Sequence, residues 1–180
     1  HKPVIESFSP SYGNFRDTIS IIGQHFDRVN ARNKVLMGSN VAEIISSSRN
    51  IIKVVIPDDL DKSISRFNLS AQLQNTISET SFRLIAPEIS KIPECCYSYS
   101  EIEIKGKHFH PIPYKNKVFI EDIETQVLSG NTESLTIEVP MGPFPRGHAS
   151  VKVQVADTMV LSESEFCIKD NWLMISNSLP

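Results

Sequence analysis

The sequence predicts an all-β chain made of two consecutive antiparallel β-sandwiches. Three observations predict it: a self-similar repeat through nearly the whole chain, apolar residues spaced two apart in short runs, and Pro, Gly, Asn and Ser between those runs. Period-2 apolar spacing is what a strand buried on one face requires, and helical periodicity is absent.

The repeat is plainest in "TISIIGQHF", residues 18–26, and "EIEIKGKHF", residues 101–109. It sets Ile19, Ile21, Gly23, His25 and Phe26 on Ile102, Ile104, Gly106, His108 and Phe109. Upstream, Pro3 and Ile5 fall on Pro87 and Ile89; downstream, "NKVLM" meets "NKVFI", and "KVVIP" ending at Pro57 meets "TIEVP" ending at Pro140. One deletion in the second copy's first loop moves the offset from 84 to 83. A period this long means two copies of a whole domain, because solenoid units repeat at about 20 to 50 residues. The expected domains are residues 1–86 and 87–169, with 170–180 in neither copy. No Pro/Gly/Ser-rich linker separates them, and Pro87 limits backbone freedom at the junction.

Taken in order, the first copy reads as strands near 4–8, 18–22, 34–37, 41–46, 51–56, 65–73 and 81–85. The second reads as strands near 88–92, 101–105, 117–120, 124–128, 134–139, 149–155 and 164–168. In "RFNLSAQLQ" the alternation puts Phe67, Leu69, Ala71 and Leu73 on one side, and "SVKVQVA" does the same with Val151, Val153 and Val155. About seven short strands per copy, divided by turn residues, argue for a sandwich.

Composition narrows the function classes. A net charge of -3 over 180 residues leaves no excess of Lys and Arg to meet phosphates, so nucleic acid is demoted as a partner. No apolar stretch approaches the roughly 20 residues that cross a bilayer, and the opening "HKPVIESF" has no basic start or signal core. The chain is therefore expected to be cytosolic or an excised piece, with any membrane attachment through an anchor outside it. Cys95, Cys96 and Cys167 are too few and too badly spaced for a structural zinc site. They read either as small buried hydrophobes or as a disulfide between Cys167 and one of the vicinal pair.

No catalytic motif is present: there is no Gly-x-Ser-x-Gly elbow, no His-Glu-x-x-His pair and no phosphate-cradling glycine loop. Asp58, Asp59 and Asp61 in "PDDLDKS" carry oxygens suited to calcium but read first as a solvated turn. His108 and His110 in "HFHP" would make half of a metal site, without a visible third ligand. No metal, cofactor or catalytic residue is assigned. The candidate ligand-binding residues are Tyr97 and Tyr99, which fall on the outward face if the segment before Ile102 is extended; two such rings would stack on a sugar or anchor a protein. Tyr12, Phe15, Tyr114 and Phe144 also fall in expected loops, with nothing to bring them together.

The opening Pro-x-Ile, the "SPSYG" turn, the strand running into Gly-x-x-Phe, the Lys-Val strand and the strand ending in Val/Ile-Pro resemble the IPT/TIG domain, an immunoglobulin-like sandwich. The resemblance covers residues 3 to about 169. The second copy departs from it where "IPECCYSYS" replaces the Ser-Pro-x-x-Gly turn, so its first connection is expected to differ. Gly23 and Gly106 are expected at turns needing positive φ, with Phe26 and Phe109 folding back into the core and His25 and His108 as loop residues. In "DNWLMISNSLP", Trp172 ahead of Leu-Pro resembles the entry strand of a kelch-type propeller blade; the alternative is an extended tail that packs Trp172 against the second sandwich.

The resemblance implies a non-enzymatic, monomeric spacer and interaction module of a larger extracellular or cell-surface protein, with a protein or polysaccharide partner. The setting expected is a bacterial glycan-handling system, as in an outer-membrane lipoprotein. The alternative is a pair of accessory domains attached to a carbohydrate-active enzyme whose catalytic domain is absent.

Overall fold

A computed structural model describes residues 1–144 and 147–169; the Trp172 motif lies outside them. The chain divides into two compact units, His1–Ile85 and a second beginning at Ala86. No helix among the described residues is long and apolar enough to cross a membrane.

The first unit contains β1 (Val4–Ser9), β2 (Tyr12–Gly13), β3 (Thr18–Gln24), β4 (Asn33–Met37), β5 (Asn40–Ser47), β6 (Ile51–Val55), β7 (Ile64–Ser65), β8 (Phe67–Ala71), β9 (Gln74–Ile77) and β10 (Phe82–Leu84). Hydrogen bonds connect them in the order β1-β3-β6-β5-β4-β8-β9, with a small sheet β2-β10-β7 beside it. β5 serves both layers: Val41 and Ala42 pair with β4, whereas Glu43 and Ile44 pair with β6. The interior is built from alternate residues, Ile19 and Ile21 on β3, Ile52 and Val54 on β6, Val35 and Met37 on β4, and Phe67 and Leu69 on β8, all fully buried. Phe67 meets Phe8 edge-on at 4.7 Å and Phe82 at 6.4 Å between ring centroids, the geometry that aromatic quadrupoles favour.

The second unit repeats the plan with β11 (Glu88–Lys91), β12 (Cys95–Tyr97), β13 (Glu101–Lys107), β14 (Lys117–Ile120), β15 (Ile123–Thr125), β16 (Val127–Gly130), β17 (Ser134–Glu138), β18 (His148–Ala149), β19 (Val151–Val155), β20 (Thr158–Leu161) and β21 (Phe166–Lys169). Its sheets are β11-β13-β17-β16, β12-β21-β18 and β15-β14-β19-β20. β15 and β16 are the counterpart of β5, parted at Gln126, so the switch between layers is complete here. Ile104, Val118, Ile120, Leu135, Ile137, Val151, Val153 and Phe166 are fully buried. Both units are thus all-β sandwiches as the alternation predicts, each with one short parallel pair, β2–β10 and β12–β21.

Two expectations are corrected. The run 65–73 is not one strand: Gln72 (φ 51°) and Leu73 (φ 65°) make a tight turn into β9, so Leu73 is fully exposed instead of inward. The matching hairpin β19–β20 turns at Ala156 (φ 52°). Both turns lack the Asn-Gly or Asp-Gly pair that marks such hairpins in a sequence. Secondly, neither Gly23 nor Gly106 has positive φ. The first connections do differ: Ser9–Pro10 is cis, and Ile92–Pro93 is not.

Candidate functional site

The strand-end motif resolves into fold chemistry. Gly23 and Gly106 lie inside β3 and β13, and the left-handed conformation falls two residues later, on His25 (φ 62°) and His108 (φ 58°). Glycine is needed for a different reason. A Cβ on Gly23 would overlap the Val4 carbonyl oxygen and the Phe26 ring, and one on Gly106 the Glu88 carbonyl oxygen and the Phe109 ring. The phenylalanines lie against these glycines, buried as expected. His25 stacks on His1 at 4.9 Å and places Nδ1 3.1 Å from the Lys2 carbonyl.

His110 belongs to a structural knot. It is 2% exposed, and its Nδ1 accepts the Ile112 N–H at 3.0 Å. Its own N–H donates to Asn116 Oδ1 at 2.7 Å, while Asn116 Nδ2 donates to the carbonyls of His110 and Pro113 at 3.1 and 3.0 Å. The first unit ties the same loop with Asp27 and Asn33: Asp27 N–H donates to Asn33 Oδ1 at 3.0 Å, Asn33 Nδ2 to the Asp27 carbonyl at 2.8 Å, and Val29 N–H to Asp27 Oδ1 at 2.9 Å. The Val29 N–H, with help from Gln72 and Arg32, holds the Asp27 carboxyl below the usual carboxylate range despite its burial. The asparagines escaped the sequence reading, although "NKV" displays them in both copies. Among the described residues no three His, Cys, Asp or Glu side chains group in a way that could hold a metal ion.

Asp58 is likewise engaged. Arg16 Nε lies 3.0 Å from both of its carboxylate oxygens and Nη2 2.8 Å from one, which raises the Arg16 pKa above its usual value. Among the scattered aromatics, Phe15 is buried while Tyr12 and Tyr114 are exposed.

The two candidate tyrosines are both exposed, 48% for Tyr97 and 62% for Tyr99, but they belong to different settings. Tyr97 ends β12, opposite Lys169 of β21, whose ammonium sits 5.9 Å from the ring centroid. Tyr99 lies past the strand at φ 66°, so the alternation that would give the two rings one face stops before it. Its hydroxyl donates to the Met141 thioether at 3.2 Å.

β12 is anchored covalently: Cys95 and Cys167 are register partners and form a disulfide, which selects one of the two alternatives left by the sequence. Cys96 is free and buried, and burial raises its thiol pKa, partly offset by a hydrogen bond with Ser100. Beside Tyr97 opens a cleft of about 490 Å³, floored by Ile92, Pro93 and Ile102 and bordered by Lys91, Lys105 and Lys169.

Residues 3–83 match the IPT/TIG domain family. Among curated proteins, none matches this chain in sequence. Solved structures similar to it include the full extracellular region of plexin A4, with 10% identity, a TM-score of 0.47 and coverage of 93% of this chain and 18% of the other. A structural-genomics protein of unknown function from Bacteroides thetaiotaomicron has 14% identity, a TM-score of 0.45 and coverage of 89% and 48%. SGBP-B from a complex xyloglucan utilization locus in Bacteroides uniformis has 16% identity, a TM-score of 0.38 and coverage of 90% and 48%. This chain spans less than half the length of each of these proteins.

Proposed function

We propose that this chain is a non-catalytic spacer and interaction module of a larger cell-surface protein, and that its second sandwich contacts a glycan through Tyr97. The observation that carries the reading is the setting of that ring. It is half exposed beside a cleft, on a short strand fastened to its neighbour by the Cys95–Cys167 disulfide. A rigidly held aromatic plane suits the C–H face of a sugar ring, with a contribution on the order of 1 kcal/mol by analogy with other aromatic contacts. The disulfide supports an extracellular setting, since such bonds persist in oxidising compartments. The side chains that suggested metal chemistry in the sequence are engaged in loop structure, Asp58 with Arg16 and His110 with its own turn. The IPT/TIG match of the first sandwich agrees with a surface module.

Retention of the purified chain on immobilised polysaccharides tests the reading. Tyr97→Ala should abolish retention and leave the unfolding midpoint unchanged. Failure of the unmodified chain to be retained by any polysaccharide would leave a spacer and remove the glycan contact.

A further inference from the structure

The cleft beside Tyr97 carries a charge pattern that the fold does not require. Lys91 on β11 stands directly opposite Lys105 on β13. Like charges in that relation destabilise a sheet, and the neighbouring pair, Glu88 opposite Lys107, shows the favourable alternative. Lys169, which also lines the cleft, is the register partner of Tyr97, with its ammonium 5.9 Å from the ring centroid. Glu103 and Glu101 also line it, but Glu103 lies 3.5 Å from Lys105, and Glu101 stands opposite Glu138 at the other end of β13. Lys91 and Lys169 are exposed and form no ion pair among the described residues. Among the described residues, two ammonium groups without a carboxylate partner therefore lie beside the apolar lining and the aromatic ring, in a chain whose net charge is -3.

We propose that the cleft binds an acidic polysaccharide, with Lys91 and Lys169 meeting the carboxylates of uronate residues and the Tyr97 ring taking a pyranose face. Lysine meets a carboxylate as a point charge that tolerates the varied geometry of a flexible chain. The ring supplies what charge alone cannot, discrimination of a sugar from any other polyanion. This inference rests on the glycan reading above and specifies its ligand class.

Retention is measured on three immobilised polymers: polygalacturonate, a neutral β-glucan and poly-glutamate. The expected result is retention on polygalacturonate alone, weakened by added salt. Replacing Lys91 and Lys169 together by Ala should lower affinity at least tenfold, with a thermal midpoint no lower than the parent's as the folding control; Tyr97→Ala should weaken it too. Retention on β-glucan alone would overturn the acidic ligand and keep the glycan reading. Equal retention on poly-glutamate would show charge without sugar recognition and overturn the proposal. Undiminished polygalacturonate binding by the double lysine variant would place the site elsewhere, and no retention on any polymer would end both readings.

Discussion

Arg16 and Tyr99 hold the same position in the two sandwiches. Each is left-handed, with φ of 68° and 66°, and each donates its N–H across the layer, Arg16 to the Ile56 carbonyl at 3.0 Å and Tyr99 to the Val139 carbonyl at 2.8 Å. Their side chains reach equivalent partners too, Asp58 in one copy and Met141 in the other, each pair related by the repeat offset of 83. A salt bridge in the first copy is a hydroxyl–thioether contact in the second. Tyr99 thereby holds a latch position, whereas Tyr97 ends β12 beside Lys169.

The equivalence makes a graft testable. Tyr99→Arg combined with Met141→Asp should hold the second sandwich within about 1 kcal/mol of its original stability, because exposed ion pairs contribute only about 0 to 1 kcal/mol. Hydrogen exchange of the β12 and β17 amides measures it. A larger loss of protection would mean that the two latches are not interchangeable.

Gly106→Ala should cost the second sandwich about 1 to 3 kcal/mol, as overpacking does, since the new methyl meets a backbone oxygen that cannot swing away. Shortening Phe109 to Leu would relieve only the ring and leave the Glu88 carbonyl. His108→Gly should cost less than Gly106→Ala, because relief of the left-handed backbone offsets the loss of the imidazole's own contact. The opposite order of these two effects in thermal unfolding would mean that strain, not close approach, governs the motif.

Much of the architecture was legible because alternation and repetition reinforce each other: Ile19, Ile21, Ile102 and Ile104 are inward as their spacing requires. The hairpins at Leu73 and Ala156 were not, because residues outside the usual turn set occupy positive φ there. Gly106 was legible as a constraint and misread as to cause, since a sequence shows that a Cβ is missing but not which neighbour fills its place. His110 suggested a ligand only because its partner Asn116, six residues on, is a contact that no spacing rule displays. Tyr97 and Tyr99 were separated by one backbone angle that the string "YSYS" does not encode.

Asn116→Ala should destabilise the second sandwich by roughly 2 to 4 kcal/mol, since it strands the buried His110 N–H and removes the donor to three carbonyls, those of His110, Ile112 and Pro113. Asn33→Ala should act alike in the first. Chemical denaturation followed by hydrogen exchange assigns each loss to its unit. Near-neutral effects would mean that water replaces the amide without cost.

Acid should affect the first sandwich through Asp27. Its carboxyl titrates below the usual range in the folded state, so its contribution is fully present above the unfolded value of about 3.9 and fades as pH falls through the lower folded value. Asp27→Asn keeps an oxygen for the Val29 N–H and cannot titrate. Its first-unit stability should therefore vary less between about pH 5 and 2 than that of the parent chain. Identical acid profiles for the two proteins would show that another group controls that range.

The Cys95–Cys167 bond joins residues 72 apart in sequence. Closing so long a loop restricts the unfolded chain by an amount that the chain-entropy model sets at roughly 4 kcal/mol. Replacing both cysteines by Ser should lower the second sandwich's stability by up to that amount and leave the first unchanged. Alkylation under denaturing, non-reducing conditions should label one thiol per chain, Cys96, and in the folded protein that labelling should be slow because the thiol is buried and its pKa raised. Three labelled thiols would show the bond absent and remove the covalent anchor of β12. In that case the Tyr97 ring would be held by the β12–β21 hydrogen bonds alone, and glycan retention should weaken on the same preparation.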